Sequence, residues 1–262
     1  MRKNFAIIGC GRIGNRHAEQ IVLHGNLTAV CDIVEERALK FAALYNCKAY
    51  FSVESLLKNC NADLISICTP NGLHAQHAIQ CVAAGHHVLC EKPLCTNTAD
   101  GLKMIEAAVK AEKKIFVVKQ NRYNPPVAYL KELLNENRLG KIYSFQVNCF
   151  WNRPVEYYTD WKGDKKLDGG TLYTQFSHFI DLIYWLLGDV KSVQPLIRNY
   201  AHPNIDFEDT GMVIFEMENN SIGTMNYTVN SYNKNMEGSF TLVAENGTVK
   251  IGGQYLNELE YF

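Results

Sequence analysis

Phe5-Ala6-Ile7-Ile8-Gly9-Cys10-Gly11-Arg12-Ile13-Gly14 opens the chain; a helical pattern runs on to about His24, and a second apolar run, Leu27 to Cys31, ends at Asp32. The order is strand, glycine turn, helix, strand, acid. Asp32 stands about 20 residues beyond the glycines, the spacing of a dinucleotide-binding βαβ unit. Gly9 permits the tight turn, Gly11 lets the backbone approach a pyrophosphate, and Gly14 lets helix and strand pack closely. Through Arg12 and Ile13 the helix start turns unpaired N–H groups and a positive dipole end toward the phosphates. A glycine-rich turn alone says little; its flanks and Asp32 make it a dinucleotide site. Asp32 would accept hydrogen bonds from the adenosine ribose. Its charge repels a 2′-phosphate and Ile33 offers no cation, which favours NAD over NADP.

The bulk numbers fit that beginning. With 262 residues, the chain is long enough for two domains, or one large one, with a sizeable core. It is 47% hydrophobic and 20% charged with a formal net charge of −1, so neither a nucleic-acid nor a membrane-surface footprint is expected. The nine cysteines form no Cys-x-x-Cys pair, and most sit in apolar runs, where a free thiol behaves as a small hydrophobe. That usage suits a reducing compartment. The apolar run after Met1-Arg2-Lys3 is too short for a signal peptide, and no stretch approaches a membrane span. The expectation is a cytoplasmic protein.

Alternation continues downstream. Helical patterns at Val34–Tyr45, Val53–Lys58, His74–Ala84 and Asn97–Ala111 are interleaved with strand patterns at Asp63–Cys68, from Val88, and at Ile115–Lys119. Val88-Leu89-Cys90 delivers Glu91 and Lys92 to a strand end, and Pro93 stops the ladder. Strands alternating with helices imply a doubly wound parallel sheet, whose ligands gather at the carboxyl ends of the strands. Gly9, Asp32, Thr69, Pro70, Asn71, Glu91, Lys92 and Gln120 then lie along one edge.

The pattern changes near residue 121, which divides the chain into an expected dinucleotide-binding domain, 1–121, and a second domain, 122–262. Pro125-Pro126 opens a helix to about Asn135, and Ile142–Asn152 is a long extended run. Strand patterns recur at Val190–Arg198, Gly211–Glu216, Ser221–Thr228, Gly238–Ala244 and Thr248–Ile251, with turn signals at Asn219-Asn220 and Asn246-Gly247. Hairpins imply an antiparallel sheet, hence an α+β domain. One helix is expected over Gly170–Leu187. At about 100° per residue, Thr174, His178, Asp181 and Trp185 form a polar stripe opposite Leu172, Phe176, Phe179, Ile180, Ile183 and Leu187. The stripe faces a cleft or an internal network, or else His178 and Asp181 form a structural pair or line a solvated face; no third ligand lies nearby to make them a metal site. His74 with His77 makes no convincing metal pair either, and His86-His87 reads as a polar turn.

Gly9-x-Gly11-x-x-Gly14, Asp32, Thr69-Pro70-Asn71-x-x-His74, Glu91-Lys92-Pro93, Gly169-Gly170, Ser177-His178 and Asp181 together resemble the family of glucose–fructose oxidoreductase and inositol dehydrogenase. The resemblance implies an amino-terminal Rossmann domain, then a domain with an open, mostly antiparallel sheet that mediates homo-oligomers, dimers or tetramers. It implies oxidation or reduction of a sugar-like hydroxyl or ketone with nicotinamide, at a cleft between the domains, and a cis Lys92–Pro93 bond. His74 joins the cofactor-binding residues on this ground. The family's acidic residue four positions before the histidine is Thr174 here. Lys119-Gln120-Asn121-Arg122-Tyr123-Asn124-Pro125, Trp151-Asn152-Arg153-Pro154 and Trp161-Lys162-Gly163-Asp164 are similar to the branch that holds UDP-N-acetylglucosaminuronate 3-dehydrogenases of surface-polysaccharide synthesis. Relatives continue several dozen residues beyond Phe262, so a shortened carboxyl end is expected.

The expected chemistry is hydride transfer from a sugar C–H with loss of the hydroxyl proton, for which a group titrating near neutrality is useful. His178 and Lys92 are the catalytic candidates. Lys92, Arg122, Tyr123, Arg153, Trp161, Thr174 and His178 are the substrate-binding ones, with cations suited to an anionic sugar or diphosphate. Two alternatives stand beside this reading: a free-sugar or inositol dehydrogenase, and an NAD(H)-binding regulator whose chemistry has lapsed.

Overall fold

The computed structural model describes residues 2–262, which fall into two compact units. The first runs to Val118 and takes in Lys166–Gly169; the second holds Lys119–Lys165 and Gly170–Phe262.

The first unit is an all-parallel six-stranded sheet with the strand order β3-β2-β1-β4-β5-β6. The strands are β1 (Asn4–Ile8), β2 (Asn26–Cys31), β3 (Lys48–Tyr50), β4 (Leu64–Ile67), β5 (His87–Cys90) and β6 (Ile115–Val117). The helices between them are α1 (Arg12–His24), α2 (Glu35–Tyr45), α3 (Val53–Asn59), α4 (His74–Ala83) and α5 (Thr98–Lys110). The order reverses between β1 and β4, and in such sheets the crevice at the carboxyl ends there receives ligands. Ala6, Ile7, Val30, Ile65, Ile67 and Val88 are all fully buried, because helices cover both faces of a parallel sheet. Two features departed from the sequence reading. The three-residue β3 is too short for a periodic signal. His86, read as a polar turn with His87, is buried, with Nδ1 2.7 Å from the Ala62 carbonyl, while His87 begins β5.

The second unit has a seven-stranded sheet, β13-β12-β11-β7-β10-β9-β8. It contains α6 (Pro125–Asn135), β7 (Ile142–Phe150), β8 (Val190–Arg198), β9 (Thr210–Met217), β10 (Ile222–Thr228), β11 (Glu237–Ala244), β12 (Gly247–Gly252) and β13 (Glu258–Tyr261). Both expected hairpins form, at Asn219-Asn220 between β9 and β10 and at Asn246-Gly247 between β11 and β12. One central pair, β7 with β10, is parallel, which hairpin signals alone did not foresee. Phe145, Val147, Cys149, Val213, Phe215, Met225, Tyr227, Phe240 and Leu242 alternate inward into one core shared with Val127, Leu130 and Leu133 of α6 and with Phe179, Leu182 and Ile183. The opposite face carries Leu196, Met212, Ile214 and Ile222, exposed by 55–70%.

The helix expected over Gly170–Leu187 is broken. Short helices α7 (Lys165–Asp168) and α8 (Thr171–Thr174) precede α9 (Ser177–Leu187). The Phe176 N–H reaches back five residues to the Thr171 carbonyl, closing the turn before α9 starts. Phe176 thereby enters the core between Trp151, 5.2 Å between ring centroids, and Tyr227, 5.6 Å. Thr174 and His178 therefore do not share one helix. The buried face of α9 is also wider than expected: Leu182, Leu186 and His178 are buried, while Ile180 is 37% exposed.

Candidate functional site

In the first unit the loop after β1 forms a cradle. Gly9 has φ +101°, a left-handed conformation that glycine adopts without strain, and a Cβ there would lie 2.6 Å from the Cys68 carbonyl. A Cβ on Gly14 would lie 2.1 Å from the Gly9 carbonyl, whereas one on Gly11 would meet nothing within 4 Å. Gly9 and Gly14 are thus required by packing of the protein on itself, while Gly11 faces open space. No side chain caps the start of α1, and Arg12 and Ile13 are exposed at it, so its N–H groups remain for an anion. Asp32 follows β2 with its carboxylate fixed by two backbone donors, Cys10 N–H at 2.8 Å to Oδ2 and Val34 N–H at 2.9 Å to Oδ1. Each oxygen keeps a lone pair for a ribose hydroxyl. An open glycine, an uncapped helix start and an anchored acid are the groups a dinucleotide needs, and these residues fit NAD.

Beside the cradle, the loops after β4 and β5 are tied together. His74 is fully buried, with Nδ1 2.6 Å from the Pro93 carbonyl and Nε2 2.9 Å from the Thr69 carbonyl. Burial holds its pKa below the ordinary histidine value, against the pull of the two carbonyls. His74 therefore serves a cofactor site by holding Thr69 and Pro93 in place. Asn71, also buried, donates from Nδ2 to the Asp168 carbonyl. The Lys92–Pro93 bond is cis. Lys92 follows β5 with its backbone N–H donated to Glu91 Oε2 at 3.1 Å. Glu91 Oε1 meets His17 Nε2 at 2.9 Å, and His17 Nδ1 lies 3.2 Å from Ser66 Oγ. Sequence spacing gave no sign of His17, 74 residues from its partner.

In the second unit the polar stripe meets the segment after Val118. The Gln120 amide nitrogen lies 3.0 Å from His178 Nε2 and donates to it, which places the ring hydrogen at Nδ1. Asp181 accepts two bonds from Arg122, at 2.7 Å from Nε and 2.6 Å from Nη2. Lys119 Nζ stands 3.9 Å from the same carboxylate and donates to the Ser177 carbonyl. Burial lowers the Lys119 pKa, and Asp181 opposes the shift. The Arg122 guanidinium also lies 5.2 Å over the Trp185 ring. Gln120, expected at the cofactor, and Arg122, expected at the substrate, are thus both joined to α9.

Arg153 is held equally firmly. Its Nε donates to Gln175 Oε1 at 2.8 Å, and the guanidinium lies 5.1 Å over Trp151 and 5.3 Å over Tyr157. Lys162 Nζ stands 4.6 Å from the Tyr157 ring, beside Trp161, which sits half-buried in a turn. Thr174 is buried and Tyr123 is 85% exposed. Among the described residues no group of three or more His, Cys, Asp or Glu side chains could hold a metal ion.

A family model described as the oxidoreductase family with an NAD-binding Rossmann fold matches residues 3–119, and one described as the GFO/IDH/MocA C-terminal domain matches residues 127–250. The WlbA dehydrogenase of Chromobacterium violaceum, solved with NADH and UDP-GlcNAcA, is 41% identical with a TM-score of 0.96, over 99% of this chain and 76% of that one. WlbA of Bordetella pertussis, in complex with the same two molecules, is 38% identical with a TM-score of 0.96, over 100% of this chain and 80% of that one. Inositol 2-dehydrogenase 2 of Saccharopolyspora erythraea is 28% identical, over 96% of this chain and 74% of its own length. Several other curated relatives are matched over only 54–62% of their length.

Proposed function

Because the chain belongs to the GFO/IDH/MocA oxidoreductase family, we propose that it is an NAD-dependent dehydrogenase of a UDP-linked N-acetylated sugar acid, acting at C3. The observation that carries the substrate is the 41% identity over nearly the whole chain to a dehydrogenase solved with NADH and UDP-GlcNAcA. The cradle at Gly9, Gly11, Gly14 and Asp32 supports the cofactor. Held by those residues, NAD would supply the hydride acceptor.

The residues of this chain handle the proton. Lys92 leaves the end of β5 with its main chain fixed by Glu91, and its ammonium hydrogen-bonds the reacting oxygen and stabilises the developing alkoxide. His178 takes the proton at Nε2, the nitrogen that Gln120 meets, so Gln120 turns aside as the substrate hydroxyl arrives. Arg153 and Lys162, each already seated on the Tyr157 ring, bind the anionic groups of the substrate. The exposed apolar face of the second-unit sheet, with Leu196, Met212, Ile214 and Ile222, pairs with a second copy of the chain.

The test is NADH production with UDP-sugar acids, free sugars and inositols, using the wild type and the Lys92→Ala and His178→Ala variants. Turnover of the UDP-sugar acid alone is expected, with each variant at least about 100-fold slower and NADH affinity within threefold. Turnover of inositol or a free sugar instead would reassign the substrate. NADH binding without turnover of any of them would mark a regulator.

A further inference from the structure

Ser66, His17 and Glu91 come from three elements that the sequence separates. Ser66 lies in β4, fully buried; His17 lies in the second turn of α1; Glu91 follows β5. Their side chains form one line: Ser66 Oγ to His17 Nδ1 at 3.2 Å, His17 Nε2 to Glu91 Oε1 at 2.9 Å, and Glu91 Oε2 to the Lys92 N–H at 3.1 Å. The His17 and Glu91 side chains are 11% and 9% exposed. We propose that His17 is a positioning residue: it donates to Glu91, which holds the Lys92 main chain and sets the charge felt by its ammonium, and so couples the helix that starts at the dinucleotide cradle to the reactive lysine.

The geometry needs no unusual species. A ring with hydrogen at Nε2 donates to Glu91 and accepts the Ser66 hydroxyl at Nδ1, satisfying all three groups. The serine–histidine–acid order resembles a hydrolytic triad, but Ser66 is sealed inside β4, paired with β1 and β5, and cannot receive an acyl group. Its hydroxyl fixes the tautomer. The charged and titratable groups around Glu91 are His17 from α1, His74 from α4, Lys92 beside it, Cys68 after β4 and Cys90 in β5. Burial raises the Glu91 pKa; the hydrogen bond from His17, the Lys92 N–H and the positive charge of Lys92 outweigh it and leave the pKa below the ordinary glutamate value. Glu91 is accordingly an anion beside Lys92 at neutral pH, and the His17 donor helps to keep it one.

This rests on the proposed role of Lys92, and the experiment separates the two. The reactivity of Lys92 toward acetic anhydride, followed by peptide mass spectrometry from pH 6 to 11, reports its pKa in the protein without cofactor or substrate. The variants are Glu91→Gln, His17→Leu and His17→Gln, whose side-chain amide replaces the Nε2 donor. Glu91→Gln is expected to lower the Lys92 midpoint by about one unit, since an adjacent anion that favoured the ammonium is gone. His17→Leu is expected to move the acid limb of the kcat profile up by about one unit, because Glu91 protonates more readily without its donor; NADH affinity should stay within threefold. His17→Gln should restore that limb to within about 0.3 unit. An unchanged Lys92 midpoint in Glu91→Gln, or a His17→Gln variant no better than His17→Leu, overturns the proposal. Should no sugar be oxidised by the wild type, the reading of the reaction fails, and the labelling of Lys92 still decides the relay.

Discussion

Asp209→Asn tests how the second unit fixes Arg153. Asp209 is fully buried and accepts from the backbone N–H of Tyr200 at 3.1 Å and of Ala201 at 2.8 Å, and from His202 Nδ1 at 3.0 Å. The other His202 nitrogen lies 2.9 Å from the Arg153 carbonyl, so both ring nitrogens face acceptors. Asparagine keeps one carbonyl oxygen, and its amino group would confront backbone N–H donors. Hydrogen bonds to a charged group contribute about 1.5–3 kcal/mol each, and the variant weakens more than one of them. We expect a loss of about 3 kcal/mol at pH 7, or a drop in Tm of about 6–12 °C for a chain of this size.

Denaturant titration gives the free energy, and a double-mutant cycle with His202→Gln gives the coupling, expected at about 1.5–3 kcal/mol. Burial alone would raise the Asp209 carboxyl, but the Ala201 N–H, Asn230, His202 and the Tyr200 N–H hold it below the ordinary aspartate value. A lowered carboxyl contributes stability above its unfolded pKa near 3.9, and that stability disappears as pH falls through the folded value. The gap between wild type and variant must therefore persist at pH 5 and shrink below about pH 4. A variant within 1 kcal/mol of wild type, or an additive cycle, refutes the reasoning.

Gly11→Ala and Gly14→Ala should part company: the first keeps the wild-type Tm but weakens NADH at least about tenfold, because its methyl enters open space at the pyrophosphate, while the second also lowers Tm, since its methyl strikes the Gly9 carbonyl. Fluorescence titration and thermal melts read both; equal behaviour would count against the cradle. Asp32→Ser with Ile33→Arg should move preference toward NADP by at least about tenfold in the ratio of dissociation constants, and an unchanged ratio would reject Asp32 as the discriminating group. His77, pushed down to about 4 by burial, contributes stability that is present above the ordinary histidine pKa near 6.5 and is lost as pH falls toward 4. His77→Gln should flatten the stability profile there by about 2 kcal/mol, measured by denaturation at pH 7 and 4.5, after discounting for its partial exposure.

What the sequence disclosed depended on how local each signal was. The βαβ start, the parallel alternation and the two hairpins are written in neighbouring residues, and all three are present. The parallel pairing of β7 with β10 joins strands more than 70 residues apart, where no turn chemistry operates. β13 alternates polar and apolar over only four residues, Glu258-Leu259-Glu260-Tyr261, all exposed, too short a run to stand out; it is held through the ladder to β12 and the Lys250–Glu260 ion pair at 2.7 Å. The break before α9 was hidden for the opposite reason: Tyr173, Phe176 and Phe179 continue an apolar pattern that suits one long helix, and only the demand to place Phe176 between Trp151 and Tyr227 interrupts it.

The same distinction governs the candidate site. Glycines and acids at fixed offsets announce a cradle, because its chemistry is carried by the backbone of one short segment. The groups that orient His178, Asp181 and Glu91 lie 58, 59 and 74 residues away, in Gln120, Arg122 and His17. The break before α9 also changes the meaning of Thr174, since a residue four positions before His178 in one continuous helix would lie directly beneath the imidazole, and these two residues stand on different helices. Replacement of an acid by threonine there cannot be judged from helical stacking. The catalytic power of His178 has to be judged from the whole of its surroundings, in which Gln120 already holds the nitrogen that would take the proton. Gln120→Leu should therefore raise the basicity of that nitrogen by removing the competing donor, and loosen the ring. If the kcat profile of Gln120→Leu shows neither a shifted limb nor a lower plateau, His178 is not the base.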